Sequence, residues 1–148
     1  VLDLFAGIGT MGLEAVSRGA ASVLVVERDR KVFAALERNI DLLGEGDVVT
    51  AVQGDALSTL PILRSPRPLH IVFVDPPFAM MEEERTRIRV FEQIERLGEL
   101  VEPEGFIILR SPLQHPRVDH SINGLHGPEV RTYHKQQNVL LYSRESSA

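Results

Sequence analysis

Asp75-Pro76-Pro77-Phe78 stands directly after the apolar run Ile71-Val72-Phe73-Val74. A carboxylate, two rigid imide carbonyls and an aromatic ring at the C-terminal lip of a buried strand suit the gripping of a flat base that carries an amino group. The lone pair of such an amine is delocalised into the purine ring, which makes it a poor nucleophile. Hydrogen-bond acceptors for its two protons, Asp75 and a proline carbonyl, would hold the nitrogen and favour a pyramidal geometry. Positioning of this kind removes a large part of a bimolecular barrier. Phe78 would stack on the base, worth about 1–3 kcal/mol, and so offset the few kcal/mol needed to unstack it. The chemistry indicated is methyl transfer to nitrogen. An Asp-Pro-Pro turn can also end a strand with no ligand at all.

A second set of residues has the makings of a cofactor site. Asp3-Leu4-Phe5-Ala6-Gly7-Ile8-Gly9-Thr10-Met11-Gly12 runs from strand-like sequence through a glycine-rich turn into a helix expected to start near Thr10. Gly7 and Gly9 permit a tight turn and close approach of a ligand, flanked by Phe5 and Ala6, while the helix start points unpaired N–H groups at it. The spacing of Gly7, Gly9 and Gly12 also satisfies the dinucleotide fingerprint, and Glu27 follows about twenty residues on, where an acid holds ribose hydroxyls. This motif alone would fit an NAD-dependent oxidoreductase. Asp3 argues otherwise, because a carboxylate in a buried strand needs a cationic or hydrogen-bonding partner. The ammonium group of S-adenosylmethionine is such a partner, directly or through water. In Glu27-Arg28-Asp29, Glu27 would take both ribose hydroxyls and Arg28 would flank the adenine, with Asp29 as the helix N-cap. In Gln53-Gly54-Asp55-Ala56, Asp55 would accept a hydrogen bond from the adenine amine, with Ala56 beside it. Asp55 is also a credible N-cap without any ligand.

These residues need strands and helices to position them. Residues 1–5, 22–27, 48–53, 69–74 and 105–110 are apolar nearly throughout, as expected of parallel strands covered on both faces. Between them Val32, Leu36, Ile40 and Leu43 recur at helical spacing, as do Ile88, Phe91, Ile94, Leu97 and Val101. Strands alternating with helices in this way predict a doubly wound α/β sheet. Residues 111–128 are rich in Pro, Gly and His, and the strand-like runs 129–134 and 138–143 follow them, joined by Lys135-Gln136-Gln137 as an antiparallel hairpin at the sheet edge. The charged stretch 82–89 reads as the solvated start of a helix. Arg85, Arg87 and Arg89 lie close enough to the Asp-Pro-Pro-Phe element to touch a phosphate, yet Glu82 to Glu84 make local ion pairs equally plausible.

A chain of 148 residues, 43% hydrophobic and 25% charged, is sized and composed for one globular domain. Its apolar runs fall short of the 18 or so residues of a membrane span. Without cysteine it has neither disulfides nor thiolate metal ligands, and a cytoplasmic location is expected. His115, His120 and His126 sit among turn formers without ligand-like spacing, so a solvated loop is expected and no metal. The net charge of −5 means that any nucleic acid must be met by a local basic patch or by residues outside this stretch.

Asp3-Leu4-Phe5-Ala6-Gly7 with Gly9 and Leu13-Glu14-Ala15, Glu27-Arg28-Asp29, Asn39, Gly54-Asp55-Ala56 and Asp75-Pro76-Pro77-Phe78 together resemble the RsmD family of 16S ribosomal RNA guanine-N2 methyltransferases. The resemblance runs from Val1 to about Ser143. It implies a Rossmann-like class I methyltransferase fold, a mostly parallel seven-stranded sheet of order 3-2-1-4-5-7-6 with a C-terminal antiparallel hairpin. It further implies S-adenosylmethionine as donor and a guanine of small-subunit ribosomal RNA as acceptor, in the subunit or an assembly intermediate. A monomer is expected. The chain opens at Val1 inside a strand-like run, without the family's arginine-bearing N-terminal segment, so upstream sequence is expected. The Asp-Pro-Pro-Phe element is shared with adenine-N6 methyltransferases, which keeps that reaction open. A non-catalytic RNA-binding module on the same fold is a further reading.

Overall fold

Strand and helix periods alternate in this chain, and the computed structural model, which describes residues 1–134 and 137–145, follows them. Its seven strands are ordered β3-β2-β1-β4-β5-β7-β6, the order expected. The chain divides into two compact units, Val1–Arg67 and Pro68–Ala148.

In the first unit β1 (Leu2–Asp3), β2 (Val23–Glu27) and β3 (Val49–Gln53) are parallel, joined through α1 (Thr10–Ser17) and α2 (Arg30–Leu43) and followed by α3 (Leu60–Arg64). β1 is shorter than expected, because Leu4 and Phe5 already leave the ladder for the glycine turn. Helix α2 starts where Asp29 caps it: Asp29 Oδ1 accepts from the Lys31 and Val32 amides at 2.8 and 2.9 Å. It stops at Gly44, which adopts the left-handed conformation at φ 69°. Leu36 and Ile40 pack on Val23, Val25 and Val49 in the core. The apolar stripe expected to reach Leu43 ends at Ile40, for Leu43 lies in the last turn and is 61% exposed.

In the second unit β4 (Leu69–Val74) pairs in parallel with β5 (Val101–Ser111), and β7 (Gln137–Arg144) pairs antiparallel with both β5 and β6 (Leu125–Tyr133). Helices α4 (Phe78–Glu82) and α5 (Glu84–Gly98) link β4 to β5. Val90, Ile94 and Leu97 of α5 are buried, but Val101, expected to continue that helical stripe, pairs with Leu69 as the first residue of β5. An apolar strand start had fallen in phase with the helix. β5 is also not covered on both faces, since Phe106 is 46% exposed while Ile107 and Leu109 are buried. β6 begins at Leu125, earlier than expected, because a register shift between His126 and Glu129 absorbs Gly127 and Pro128. Lys135 and Gln136 of the expected hairpin connection lie outside the described residues, and Gln137 opens β7 opposite Tyr133. Among the described residues no helix is long and apolar enough to cross a membrane.

Candidate active site

The glycine turn of the first unit is held by backbone and side chain together. The Ala6 amide donates to Val26 O and the Gly9 amide to Ala6 O, both at 2.9 Å. Gly7 and Gly9 have φ of 58° and 96°, which side-chain-bearing residues adopt only under strain. Their surroundings differ. A Cβ on Gly9 would lie 2.5 Å from Leu36 Cδ1, whereas one on Gly7 would meet nothing within 4 Å. Gly9 is therefore packed and Gly7 faces open space. Helix α1 starts directly behind this turn with no side-chain cap, so its first-turn amides are offered to a ligand. Thr10 and the neighbouring Ile8 and Met11 are exposed, Phe5 is half-buried, and Ala6 is buried.

Glu27 organises this end of the unit. Its Oε2 accepts from the Gly7 amide at 2.9 Å and its Oε1 from the Asp29 amide at 2.8 Å. Its own carbonyl accepts from the Gly54 amide at 3.0 Å. One residue thus ties the glycine turn, the start of α2 and the end of β3. A carboxylate has about four lone-pair sites, so each oxygen keeps capacity for a hydroxyl. Arg28, next to it, is exposed. Asp55 does not cap a helix: its Oδ1 accepts from the Leu57 amide at 2.9 Å in a turn, and α3 starts only at Leu60. Ala56 is buried behind it. Asp3 is 1% exposed, as expected of a strand carboxylate turned into the protein. Asn39, part of the family pattern but without an assigned role, donates from Nδ2 to Ile8 O at 2.9 Å and so pins the tip of the glycine turn to α2.

In the second unit Asp75 and Pro76 leave β4, and Pro77 is the N-cap residue of α4. The Met80 amide donates to Pro77 O at 2.9 Å, and Pro76 is buried while Pro77 is exposed. Asp75 is half-buried, and burial pushes its carboxyl above the usual carboxylate range while nearby Arg110 pulls it back. Arg110 was not singled out from the sequence. Its Nε lies 3.1 Å from Asp75 Oδ1, and its guanidinium carbon lies 5.4 Å from the centroid of the Phe78 ring. The signal was an arginine closing an otherwise apolar strand, but its partner depended on the β4–β5 register, which sets Val74 beside Leu109. Arg87, a candidate for phosphate contact, instead donates from Nη1 to Met81 O at 2.8 Å and closes the end of α4.

His120 corrects the expectation of a solvated histidine loop, since it is fully buried. Its Nδ1 lies 2.8 Å from Val118 O and its Nε2 3.0 Å from Ser111 Oγ. A carbonyl can only accept, so Nδ1 carries the proton and, in the neutral ring, Nε2 accepts from the Ser111 hydroxyl. Burial, with the nearby His115 ring and Arg87 guanidinium, holds the ring below its usual pKa, against the opposing effects of Val118 O and Asp119. Tyr142 donates to His120 O at 2.8 Å, and Asn138 donates from Nδ2 to Leu113 O at 2.9 Å. The segment that follows Arg110 is thereby fastened to β7.

The donor-side and acceptor-side candidates all lie at or just beyond the C-terminal ends of their strands, where ligands of open α/β sheets bind. Ribosomal RNA small subunit methyltransferase D of Escherichia coli is 44% identical over 84 residues, 55% of this chain and 41% of that protein, so the match spans less than half its length. The protein of the same name from Haemophilus influenzae is 29% identical over 126 residues, covering 74% of this chain and 63% of the other. The solved structure of yhhF from Escherichia coli superposes with a TM-score of 0.76 at 31% identity, covering 99% of this chain and 75% of that one. A family model described as conserved hypothetical protein 95 matches residues 1–142, and the chain belongs to that family, the RsmD family.

Proposed function

We propose that the protein transfers a methyl group from S-adenosylmethionine to the exocyclic N2 amine of a guanine in 16S ribosomal RNA. The observation that carries this reading is the cluster at the end of β4, the Asp75 carboxylate and the Phe78 ring flanking one another through Arg110 on either side of two prolines, in a chain whose relatives bear the name of a small-subunit ribosomal RNA methyltransferase.

The first unit's residues fit the donor. The space beside Gly7 that a Cβ would fill is open, and the turn is pre-set by Glu27 and Asn39 rather than by the ligand. In this reading Glu27 holds the ribose hydroxyls, Arg28 flanks the adenine, Asp55 accepts from the adenine amine with Ala56 beside it, and buried Asp3 faces the methionine ammonium. Phe5, Ala6, Gly7, Gly9 and Thr10 form the wall of the cradle. When bound, the donor supplies an electrophilic methyl group on a sulfonium. The second unit's residues prepare the nucleophile. Asp75 and the Pro76 carbonyl accept the two N–H protons, Pro77 fixes the turn, and Phe78 stacks on the base. Taking up the methyl group would cost the nitrogen one N–H proton, which the Asp75 carboxylate would accept, the donor leaving as a neutral thioether. Because Asp75 must be ionised to accept, its elevated pKa predicts an acid limb of activity above the ordinary carboxylate range.

The test uses full-length protein, methyl-labelled donor and small ribosomal subunits from cells lacking the gene. Wild type should label 16S RNA as N2-methylguanine. Asp75→Ala should lose transfer by ~100-fold or more while S-adenosylhomocysteine binding, measured by calorimetry, persists. N6-methyladenine as the product, NAD binding in place of S-adenosylhomocysteine, or undiminished transfer by the variant would each overturn the reading.

A further inference from the structure

Arg110 already occupies the two groups that the proposed reaction assigns to the base, and this inference rests on that reading. Its Nε forms an ion pair with Asp75 Oδ1 at 3.1 Å and its guanidinium carbon stands 5.4 Å from the Phe78 ring centroid. A guanidinium is a planar carbon bearing N–H groups. The N1–C2–N2 edge of guanine is the same array, so the side chain presents to Asp75 and Phe78 what the substrate would present. We propose that Arg110 is a positioning residue that holds Asp75 and Phe78 in the free enzyme and is exchanged for the amine-bearing edge of the base when RNA binds.

Two features of the structure make such an exchange feasible. The backbone of Arg110 is fixed on both sides, with Leu109 beside Val74 of β4 and Arg110 itself opposite Val139 of β7. The next residue, Ser111, is buried and bonded to His120. Movement is therefore confined to the arginine side chain. The ion pair itself is half open to solvent, with side-chain exposures of 44% for Arg110 and 38% for Asp75. Exposed pairs of this kind are weak and break readily. Arg110 is also the charged side chain, among the described residues, that acts on the ionisation of Asp75. While paired it keeps the carboxylate charged and oriented, and the amine's own N–H groups take over that task after exchange.

Exchange and a permanent clamp differ in when Asp75 feels the arginine. The pH dependence of kcat/KM reports groups in the free enzyme, and the rate at saturating substrate reports the complex. Arg110→Ala and Arg110→Gln should therefore move the acid limb of kcat/KM to higher pH. The acid limb of the single-turnover rate, with saturating donor and small subunits, should stay at its wild-type position. Both limbs moving would show that the arginine remains on Asp75 through the chemistry, and neither moving would show that it does not act on Asp75; either result overturns the exchange. Failure of wild type to methylate any RNA would instead remove the underlying reading. The glutamine variant keeps a polar side chain at the strand end, so a folded protein is available for the measurement.

Discussion

Replacing Gly9 or Gly7 by alanine separates packing from binding within a single turn. Gly9 sits at φ 96°, beyond the usual left-handed well, so an alanine there costs about 2 kcal/mol in backbone strain. The new Cβ would also stand 2.5 Å from Leu36 Cδ1. Leu36 has no exposure and is packed against Val23, Val25 and Ile40, so it cannot swing outward, and overpacking adds about 1–3 kcal/mol. The sum, about 3–5 kcal/mol, is a large part of the ~5–15 kcal/mol by which folded proteins are stable. It corresponds to a fall of roughly 6–20 °C in Tm. Gly7 at φ 58° lies inside the left-handed well and has nothing within 4 Å of its built Cβ, so Gly7→Ala should cost only about 1 kcal/mol. Its methyl group would project into the space assigned to the donor. Urea denaturation with calorimetric titration of S-adenosylhomocysteine on full-length protein tests both halves. Gly9→Ala should be the unstable variant, and Gly7→Ala the folded one with donor affinity reduced ~10-fold or more, about 1.4 kcal/mol. Equal stabilities would refute the Leu36 argument, and unchanged donor binding by Gly7→Ala would refute the assignment of the open space.

Asp29→Ala removes the acceptor for the Lys31 and Val32 amides and should lower unfolding free energy by about 1 kcal/mol in urea titration; no loss would mean that α2 is capped some other way. His120 is a base held below its usual pKa of 6.5, so the unfolded chain binds more protons than the folded one between that value and the lowered one. Its contribution to stability is present above pH 6.5 and is lost as pH falls through this window, at up to about 1.4 kcal/mol per pH unit. The stability gap between wild type and His120→Gln should accordingly narrow from pH 7 to pH 5, and a gap constant with pH would refute the buried neutral ring.

The parts of this protein legible in its sequence are those whose function is contiguous. Asp75 to Phe78 and Asp3 to Gly12 each carry strand end, turn and helix start within one short run, so residue type and order already state the local geometry. Asp29 was legible for the same reason, because a cap acts two or three residues ahead of itself. For Asp55 the N-cap alternative fails on that same local ground, since an Asx turn and a helix cap begin with the same residue and the same bond. What lay beyond reach was set by register. Arg110 meets Asp75 because β4 and β5 pair with Val74 beside Leu109, and a shift between Leu69 and Ile71 precedes that pairing. No property of either residue states it. His120 stands in a run of turn formers that reads as solvated, yet Ser111, Val118 O and Tyr142 satisfy its polar groups, and Ser111 and Tyr142 come from β5 and β7. A contiguous motif thus names the candidate group, while its burial and its cross-strand neighbours act on its charge state. Asp75 joins the two cases, because its place after β4 half-buries it and so raises its pKa, while the cross-strand Arg110 draws that pKa part of the way back.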